Sequence, residues 1–136
     1  MKPFQIIDHT ADLRLRASGH DLEELFGNAA LGLAAIFVAD APLIKRPGNP
    51  EKVCLAAEVT EILLVTFLNE ILTRSQTNKK LYTRAKILRL SEKSIDAQIF
   101  GVPISGFDRD VKAVSYHNGA IETKRGILTV QLVVDI

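Results

Sequence analysis

The chain has 136 residues, which fits one compact domain and leaves little room for a second. Apolar residues make up 47% of it, enough for one continuous hydrophobic core. Its 17 lysines and arginines nearly balance 16 aspartates and glutamates, so there is no global positive field of the kind that drives nonspecific binding to nucleic acid. Work on RNA would therefore need a partner protein or a local basic patch.

The single cysteine, Cys54, excludes a disulfide within the chain and indicates a reducing compartment. Its apolar neighbours Val53 and Leu55 predict a small buried side chain rather than a reactive thiol. The N-terminal residues lack the apolar stretch of a signal peptide. The longest apolar run, residues 29–39, is shorter than the roughly 18 residues that a membrane span needs. We therefore expect a soluble, cytoplasmic protein that does not enter a membrane.

The first third of the sequence predicts two strands and a helix. Residues 4–7 suit an edge strand, and from 11 to 17 apolar and polar residues alternate strictly, the pattern of a half-buried strand. Asp21 and Glu24 then form a pattern that resembles a capping box at the start of a helix. Apolar residues recur at helical spacing after it, and the helix is predicted to end near Asp40.

The middle of the sequence predicts a loop, a short strand, a second helix and a hairpin. Residues 41–50 contain three prolines and a glycine and should form a loop, and residues 53–57 a short strand. The second helix is predicted from about Thr60 to Thr73. Two β segments follow at 81–90 and 95–100, joined by a polar turn.

The last third is β in character. Asn118-Gly119 is the strongest short hairpin signal, because a type I′ turn needs positive φ at both central residues. It predicts a hairpin between residues 111–117 and 120–123. Gly126 then turns the chain into a final strand over 127–136. The elements together predict the α+β class: a two-layer domain with a mainly antiparallel β-sheet and two amphipathic helices on one face.

Two carboxylates are the first candidates for chemistry. Asp12 lies on the polar side of an early strand, and Asp135 lies on the polar side of the last one. If these strands are neighbours, both side chains converge with the terminal carboxylate of Ile136. Such hard oxygen ligands favour Mg²⁺, Mn²⁺ or Ca²⁺ over zinc. Spacing alone leaves open the commoner outcome, in which two acids near the chain ends are simply solvated.

Lys112 and His9 are the other candidates. Lys112 opens a strand pattern that runs to His117, where it is either an edge gatekeeper or a contact for an anionic phosphate. His9 could be a metal ligand, a general base or a structural hydrogen-bonding group. The sequence contains no Walker loop, Rossmann glycine pattern or nucleophile elbow. A self-sufficient enzyme of those kinds is not expected.

Four segments, taken together and in order, resemble the archease family. They read Asp-His-Thr-Ala-Asp at 8–12, Phe-Leu-Asn-Glu-Ile-Leu at 67–72, Lys-Ala-Val-Ser-Tyr-His at 112–117 and Asp-Ile at 135–136. The resemblance implies an accessory protein, not an enzyme, that promotes the guanylylation and repeated turnover of the RtcB-type tRNA-splicing RNA ligase. It also implies a divalent-cation site formed by Asp12, Asp135 and Ile136. We take His9 and Lys112 as further functional residues.

The hypothesis that follows is that the Asp12–Asp135 end of the protein docks at the ligase active site. There it would help to arrange GTP, metal and the nucleophilic histidine of the ligase by positioning and charge placement. tRNA would be reached only through the ligase. One alternative is a chaperone-like interaction module that acts through an exposed apolar patch. Another is a metal-dependent nucleotide hydrolase that uses the same acids.

Overall fold

The computed structural model describes residues 1–8, 11–45, 48–116 and 120–136. Within these ranges the chain forms two α-helices, eight strands and a short 3-10 turn at Ala41–Leu43. In chain order the elements are β1 (Phe4–Asp8), β2 (Leu13–Gly19), α1 (Leu22–Phe37), β3 (Asn49–Ala56), α2 (Thr60–Asn78), β4 (Lys80–Leu90), β5 (Ser94–Pro103), β6 (Ala113–Tyr116), β7 (Glu122–Lys124) and β8 (Ile127–Asp135). In the described ranges, no helix is both long and apolar enough to cross a membrane.

The strands are all antiparallel and divide between two sheets. Sheet A has the order β1-β2-β8-β6, with β7 also paired to β8, and sheet B has the order β3-β5-β4. Helix α1 contacts β1, β2 and β8 of sheet A and β4 of sheet B, and α2 contacts β6 of sheet A and all three strands of sheet B. The α+β class and the antiparallel arrangement are confirmed, and each helix joins the two sheets.

The hydrophobic core lies between the helices and the inner faces of the sheets. In β2 the residues Leu13, Leu15 and Ala17 are buried, while the residues between them are partly or fully exposed, so the predicted alternation is confirmed. The two helices meet through Phe26 and Phe67, whose ring centroids are 6.0 Å apart. This packing fixes the inner face of β2, and therefore also the outward direction of the polar residues that alternate with it.

Helix α1 begins where the capping pattern predicts, because the Asp21 side chain accepts a hydrogen bond from the Glu24 amide at 2.8 Å. It ends at Phe37, earlier than the predicted end near Asp40. There a residue distant in the sequence hydrogen-bonds to the end of the helix: the Asp108 amide donates to the Phe37 carbonyl at 2.7 Å. The Asp108 carboxylate also accepts from the Ala39 amide at 3.0 Å. A tertiary contact, not a local signal, therefore ends this helix.

Helix α2 and strand β3 are both longer than predicted. The helix continues past Thr73 to Asn78, where Lys79 adopts a left-handed conformation with φ of 53°. Strand β3 already begins at Asn49 and pairs with β5 along its length. The prediction of a buried Cys54 is wrong, because the alternation of β3 buries Val53 and leaves Cys54 exposed.

The predicted hairpin at Asn118-Gly119 is wrong. Those two residues and His117 lie outside the described ranges, but the segments on either side, β6 and β7, both pair with β8. They lie end to end along one edge of β8 instead of pairing with each other. The tight turn comes later, at Arg125 and Gly126, which have φ of 53° and 77° and join β7 to β8. That turn was expected at Gly126, and it satisfies the type I′ requirement for two positive φ angles.

Tyr82 lies in a polar network between α2 and sheet B. Its hydroxyl donates to Glu51 at 2.7 Å and accepts from the Asn78 amide at 3.2 Å. Glu51 also pairs with Arg74 and Lys80, at 3.6 and 3.4 Å. The pKa of Tyr82 is raised to about 12, mainly because the buried phenolate would be poorly solvated and also because Glu51 is close by, although the Asn78 hydrogen bond acts in the opposite direction. The network holds the end of α2 against β3 and β4.

The raised pKa predicts a loss of stability at high pH. The tyrosine in the unfolded chain releases its proton near pH 10, whereas folded Tyr82 keeps it up to about pH 12. The stabilisation is therefore complete below about pH 10 and is lost as the pH rises towards 12. Urea unfolding midpoints measured from pH 9 to 12 should fall less steeply for Tyr82→Phe than for the wild type. Tyr116→Phe, at an exposed position, should keep the wild-type slope. Equal slopes for Tyr82→Phe and the wild type would contradict the assignment.

Candidate carboxylate site

The register of β2 and β8 brings the two candidate acids together. The strands are antiparallel neighbours, with Leu13 opposite Val134. Asp12 lies in a bend directly before β2, and Asp135 is the last residue of β8, so each acid is adjacent in the chain to one member of this pair. The condition that the first part of the chain and its last strand be neighbours is met, and both acids lie at one end of sheet A.

Arg14 supplies a positive charge at this end. Its Nε atom lies 3.3 Å from Oδ1 of Asp12, and the two side chains are only 13% and 18% exposed. Strand alternation sets Arg14 on the outer face of sheet A, and the ion pair brings the Asp12 side chain to it. A cation beside two carboxylates lowers the cost of holding both of them ionised. The alternation of β2 predicted that Arg14 lies on the polar face of the strand. No other feature of the sequence pointed to its contact with Asp12.

Lys112 lies next to Asp135 through its main chain. The Lys112 amide donates to the Asp135 carbonyl at 2.8 Å, and Ala113 pairs with Asp135 in the β6–β8 ladder. The Lys112 side chain is exposed. Ile136 directly follows Asp135 and is 42% exposed. The structure therefore brings four of the five predicted residues to one end of sheet A. The fifth, His9, lies outside the described residues.

Helix α2 holds the strand that follows Lys112. Asn69 makes two hydrogen bonds to Val114, donating to its carbonyl at 2.8 Å and accepting from its amide at 2.9 Å. Gln76 donates to the Val111 carbonyl at 2.6 Å. These side chains hydrogen-bond to backbone groups that an open edge strand would otherwise leave exposed. The sequence marked Asn69 only as a polar position of α2, so this positioning role was missed.

Glu61 extends the same arrangement towards β7. Its carboxylate accepts a hydrogen bond from the Ile121 amide at 2.9 Å. Glu61, Asn69 and Gln76 recur at intervals of eight and seven residues, close to two turns of a helix each, so they form one stripe along α2. This polar stripe takes the place of a further strand beside β6, and its Gln76 and Asn69 side chains fix the main chain on both sides of Lys112.

The donor set at this end suits a hard divalent cation. Asp12 and Asp135 offer carboxylate oxygens only, which Mg²⁺, Mn²⁺ and Ca²⁺ prefer. In the part of the chain that the structure describes, no three His, Cys, Asp or Glu side chains form a group that could hold a metal ion. The site predicted from the sequence differs from such a group, because it would combine the two side-chain carboxylates of Asp12 and Asp135 with the main-chain carboxylate of Ile136. The oxygen chemistry therefore fits such an ion, with Arg14 as a competing positive group at Asp12.

Exposed apolar side chains lie around the carboxylates. Ile7 sits opposite Arg14 across the β1–β2 ladder and is 39% exposed. Ile136 is similarly exposed. Large apolar side chains that stay in water beside charged groups are typical of a surface that contacts another protein.

The fold and the site together define a small α+β protein whose paired early and final strands carry acids at one end. A model of the Archease protein family matches residues 4–136. Protein archease of Methanothermobacter thermautotrophicus is 31% identical over 143 residues, covering 100% of both chains. That of Methanosarcina mazei is 31% identical over 99% of this chain and 97% of its own. The chain belongs to the archease family.

Two solved structures share the fold. The solution structure of protein 1598 of Methanobacterium thermoautotrophicum has a TM-score of 0.76 at 28% identity and covers 100% of both chains. The crystal structure of an archease from Thermotoga maritima, described as a possible chaperone, has a TM-score of 0.63 at 21% identity. It covers 96% of this chain and 94% of its own, and at that identity the likeness concerns the fold alone.

Proposed function

We propose that this chain is an accessory protein of an RtcB-type tRNA-splicing RNA ligase and promotes the guanylylation and repeated turnover of that ligase. The observation that carries the proposal is the convergence of Asp12 and Asp135 at one end of the β2–β8 pair, where Leu13 lies opposite Val134, in a member of the archease family. Two acids that are distant in sequence share one end of a sheet. Arg14 offsets part of the repulsion between them, and a bound cation or a positively charged group of a partner would offset the rest.

The carboxylate end supplies both charge and contact area. The acids lie near the exposed side chains of Ile7 and Ile136, which would bury apolar area against the ligase. The Lys112 amide and the β6–β8 ladder hold the main chain of Asp135 in place before the partner arrives. Such preorganisation lowers the cost of ordering the site on binding. tRNA would be reached through the ligase.

The cation site is part of the proposal. Asp12, Asp135 and the Ile136 carboxylate would hold Ca²⁺, Mg²⁺ or Mn²⁺, which would supply positive charge to the phosphate oxygens of GTP. Arg14 holds the Asp12 carboxylate through their 3.3 Å ion pair, so the acid is oriented while a partner docks. Lys112, exposed beside Asp135, would contact a phosphate, and His9, which lies outside the described residues, stays a candidate for a hydrogen bond or a ligand bond.

The test is a time course of ligase guanylylation with the chain at a small fraction of the ligase concentration. The wild-type chain should drive guanylylation of all the ligase, because one molecule serves many. Asp12→Ala and Asp135→Ala should each reduce the initial rate by roughly 10–100-fold, the usual cost of disturbing a metal site. Both variants should fold, since neither side chain belongs to the core.

The matched control is Glu122→Ala, which removes an exposed acid from β7 in the same sheet. It should stimulate like the wild type, because Glu122 pairs with Thr129, several residues along β8 from Asp135. Circular dichroism should confirm that all three variants are folded. Full stimulation by both aspartate variants would refute the role of the carboxylates.

A chaperone-like interaction module is the second candidate. The observation that favours it is a set of exposed large apolar residues away from the carboxylates, namely Leu43, Val59, Ile62 and Leu88. This function would act through apolar contact and would be insensitive to Asp12→Ala. The same panel separates the two candidates if Ile62→Ser is added. Loss of stimulation in Ile62→Ser together with normal activity in Asp12→Ala would favour the chaperone-like module.

A further inference from the structure

The outer face of sheet B carries a concentration of positive charge. Strand alternation and the sheet registers set Lys86 beside Gln98 and Lys52, and Arg89 beside Asp96 and Cys54, all directed away from the buried face. Arg84 lies in the next row, beside Phe100 and Pro50. The four cations of this face are exposed. We call these three rows the basic face.

The basic face is unusual because the chain as a whole is nearly neutral, with a formal net charge of +1. Among the outward positions of β3, β4 and β5, Asp96 is the only acid, against four cations. The Cys54 thiol donates a hydrogen bond to the Asp96 carboxylate, which is the main reason why the pKa of Cys54 is raised above 9.0. The remaining positive charge has no acid on the same strand face to neutralise it.

An aromatic side chain, that of Phe100, lies among these cations. The Arg84 guanidinium carbon stands over the Phe100 ring, 5.0 Å from its centroid, which makes a cation–π contact. Beside the pair is a cleft of about 430 Å³, which Lys45, Thr83 and Gly48 also line. The cleft is therefore cationic, and the Arg84–Phe100 pair forms part of its wall.

A group of acidic residues lies next to the β4 edge of the basic face. Asp21, Glu23 and Glu24, in the first turn of α1, line a separate pocket along the β4 edge together with Arg84. The outer face of sheet B and the cleft at Phe100 are thus positive, whereas the neighbouring start of α1 is negative. A polyanion would meet the basic face but would be repelled from the neighbouring α1 edge.

We propose that the basic face binds single-stranded RNA directly, with phosphates on Lys52, Lys86 and Arg89 and a base against the Arg84–Phe100 stack. Flat sheet faces that combine cations with an aromatic side chain bind single strands, because every base offers a π face and the backbone follows the charges. An acidic protein surface would use the cations but not the stack. A duplex keeps its bases paired and away from the ring, so a single strand fits better.

This inference goes beyond the proposed function, in which tRNA is reached only through the ligase. It gives the accessory protein its own contact with the RNA strand, on sheet B instead of at the carboxylate end of sheet A. Because the basic face needs no ligase, it can be tested on the chain alone. A failed binding experiment would leave the guanylylation time course unaffected, so the two proposals fail separately.

The experiment is fluorescence anisotropy with a labelled twenty-nucleotide oligo(U), titrated with the full chain at several salt concentrations. Each phosphate contact of a single strand contributes a slope of about −0.7 to the plot of log K against log salt. Four cations therefore predict a slope no steeper than about −3. Lys86→Ala combined with Arg89→Ala should make the slope shallower by about 1.4 and weaken binding at low salt.

The stack is tested separately. Phe100→Ala should weaken binding by roughly tenfold without changing the salt slope, because base stacking is not a charge contact. Lys124→Ala, on β7 of the other sheet, is the matched control for charge and should bind like the wild type. Cys54 gives a second readout: at pH 9, bound oligo(U) should slow alkylation of the exposed thiol, because Cys54 lies within the basic face.

Four results would overturn the proposal. One is no binding at low salt. Another is unchanged binding by the Lys86→Ala, Arg89→Ala double variant, which would place the contact elsewhere. The third is equal competition by poly-glutamate and the fourth is equal binding of a blunt RNA duplex, because either would mean that the face recognises charge alone and not a single strand.

Discussion

Replacing Phe67 with alanine should lower the free energy of unfolding by about 3–5 kcal/mol, the usual cost of emptying a buried aromatic site. Phe67 is fully buried and packs against Phe26 where α2 meets α1, with ring centroids 6.0 Å apart. Both helices join the two sheets, so the cavity would loosen the contact on which the whole arrangement depends. Because small domains have only about 5–15 kcal/mol of stability in total, this one change would consume much of it.

Urea unfolding followed by circular dichroism measures the effect. The matched control is Leu43→Ala, which removes an apolar side chain that is 74% exposed, and it should change stability by no more than about 0.5 kcal/mol. A loss below about 1 kcal/mol in Phe67→Ala would mean that the helices collapse into the cavity or that the interface is less tightly packed than described.

Replacing Asn69 with alanine should lower stability by about 2 kcal/mol and also reduce ligase stimulation. The side chain occupies both backbone groups of Val114 on the open edge of β6, and both would lose their partners together. The functional loss follows from position. Val114 lies two residues beyond Lys112, and β6 also flanks Asp135. Asn69 is therefore a positioning residue for the carboxylate site.

The two effects of Asn69→Ala can be separated by temperature. Guanylylation assays run well below the unfolding midpoint measure the functional loss in folded protein, where a purely structural role would leave stimulation intact. Asn69→Asp retains the acceptor for the Val114 amide but not the donor for its carbonyl, so stimulation should fall between the wild type and Asn69→Ala. Thr73→Ala, at an exposed position of the same helix, should leave both stability and stimulation nearly unchanged. Full stimulation by Asn69→Ala would contradict the positioning role.

The features that the sequence predicted correctly are those that arise from neighbouring residues. The Asp21 cap of α1, the alternation of β2 and the turn at Gly126 all depend on residues within a few positions of one another. Local hydrogen bonds and the direction of successive side chains settle such features, whatever the rest of the chain does.

The predictions that were wrong share a cause of the opposite kind. Asn118-Gly119 carries a strong local turn signal, yet β6 and β7 both pair with β8. The reason is that the nine-residue strand β8 offers a longer ladder than a short hairpin between β6 and β7 would. Cys54 was expected to be buried from its two neighbours, but the pairing of β3 with β5 turns Val53 inward instead. In both cases the pairing of strands that are distant in the chain outweighed the local sequence signal.

The candidate site follows the same division. By itself the sequence predicted that Asp12 and Asp135 lie on the polar sides of strands, because alternation has a fixed period of two. This is confirmed for Asp135, the exposed last residue of β8, whereas Asp12 lies in a bend just before β2 begins at Leu13. The family resemblance named both as ligands, but no local pattern shows which strands are neighbours. Only the tertiary structure brought both acids to one end of the β2–β8 pair, placed Arg14 beside the first and Lys112 beside the second, and gathered the basic face from three strands. The physical reason is that strand pairing joins residues far apart in the chain, and its register is fixed by the packing of the whole core.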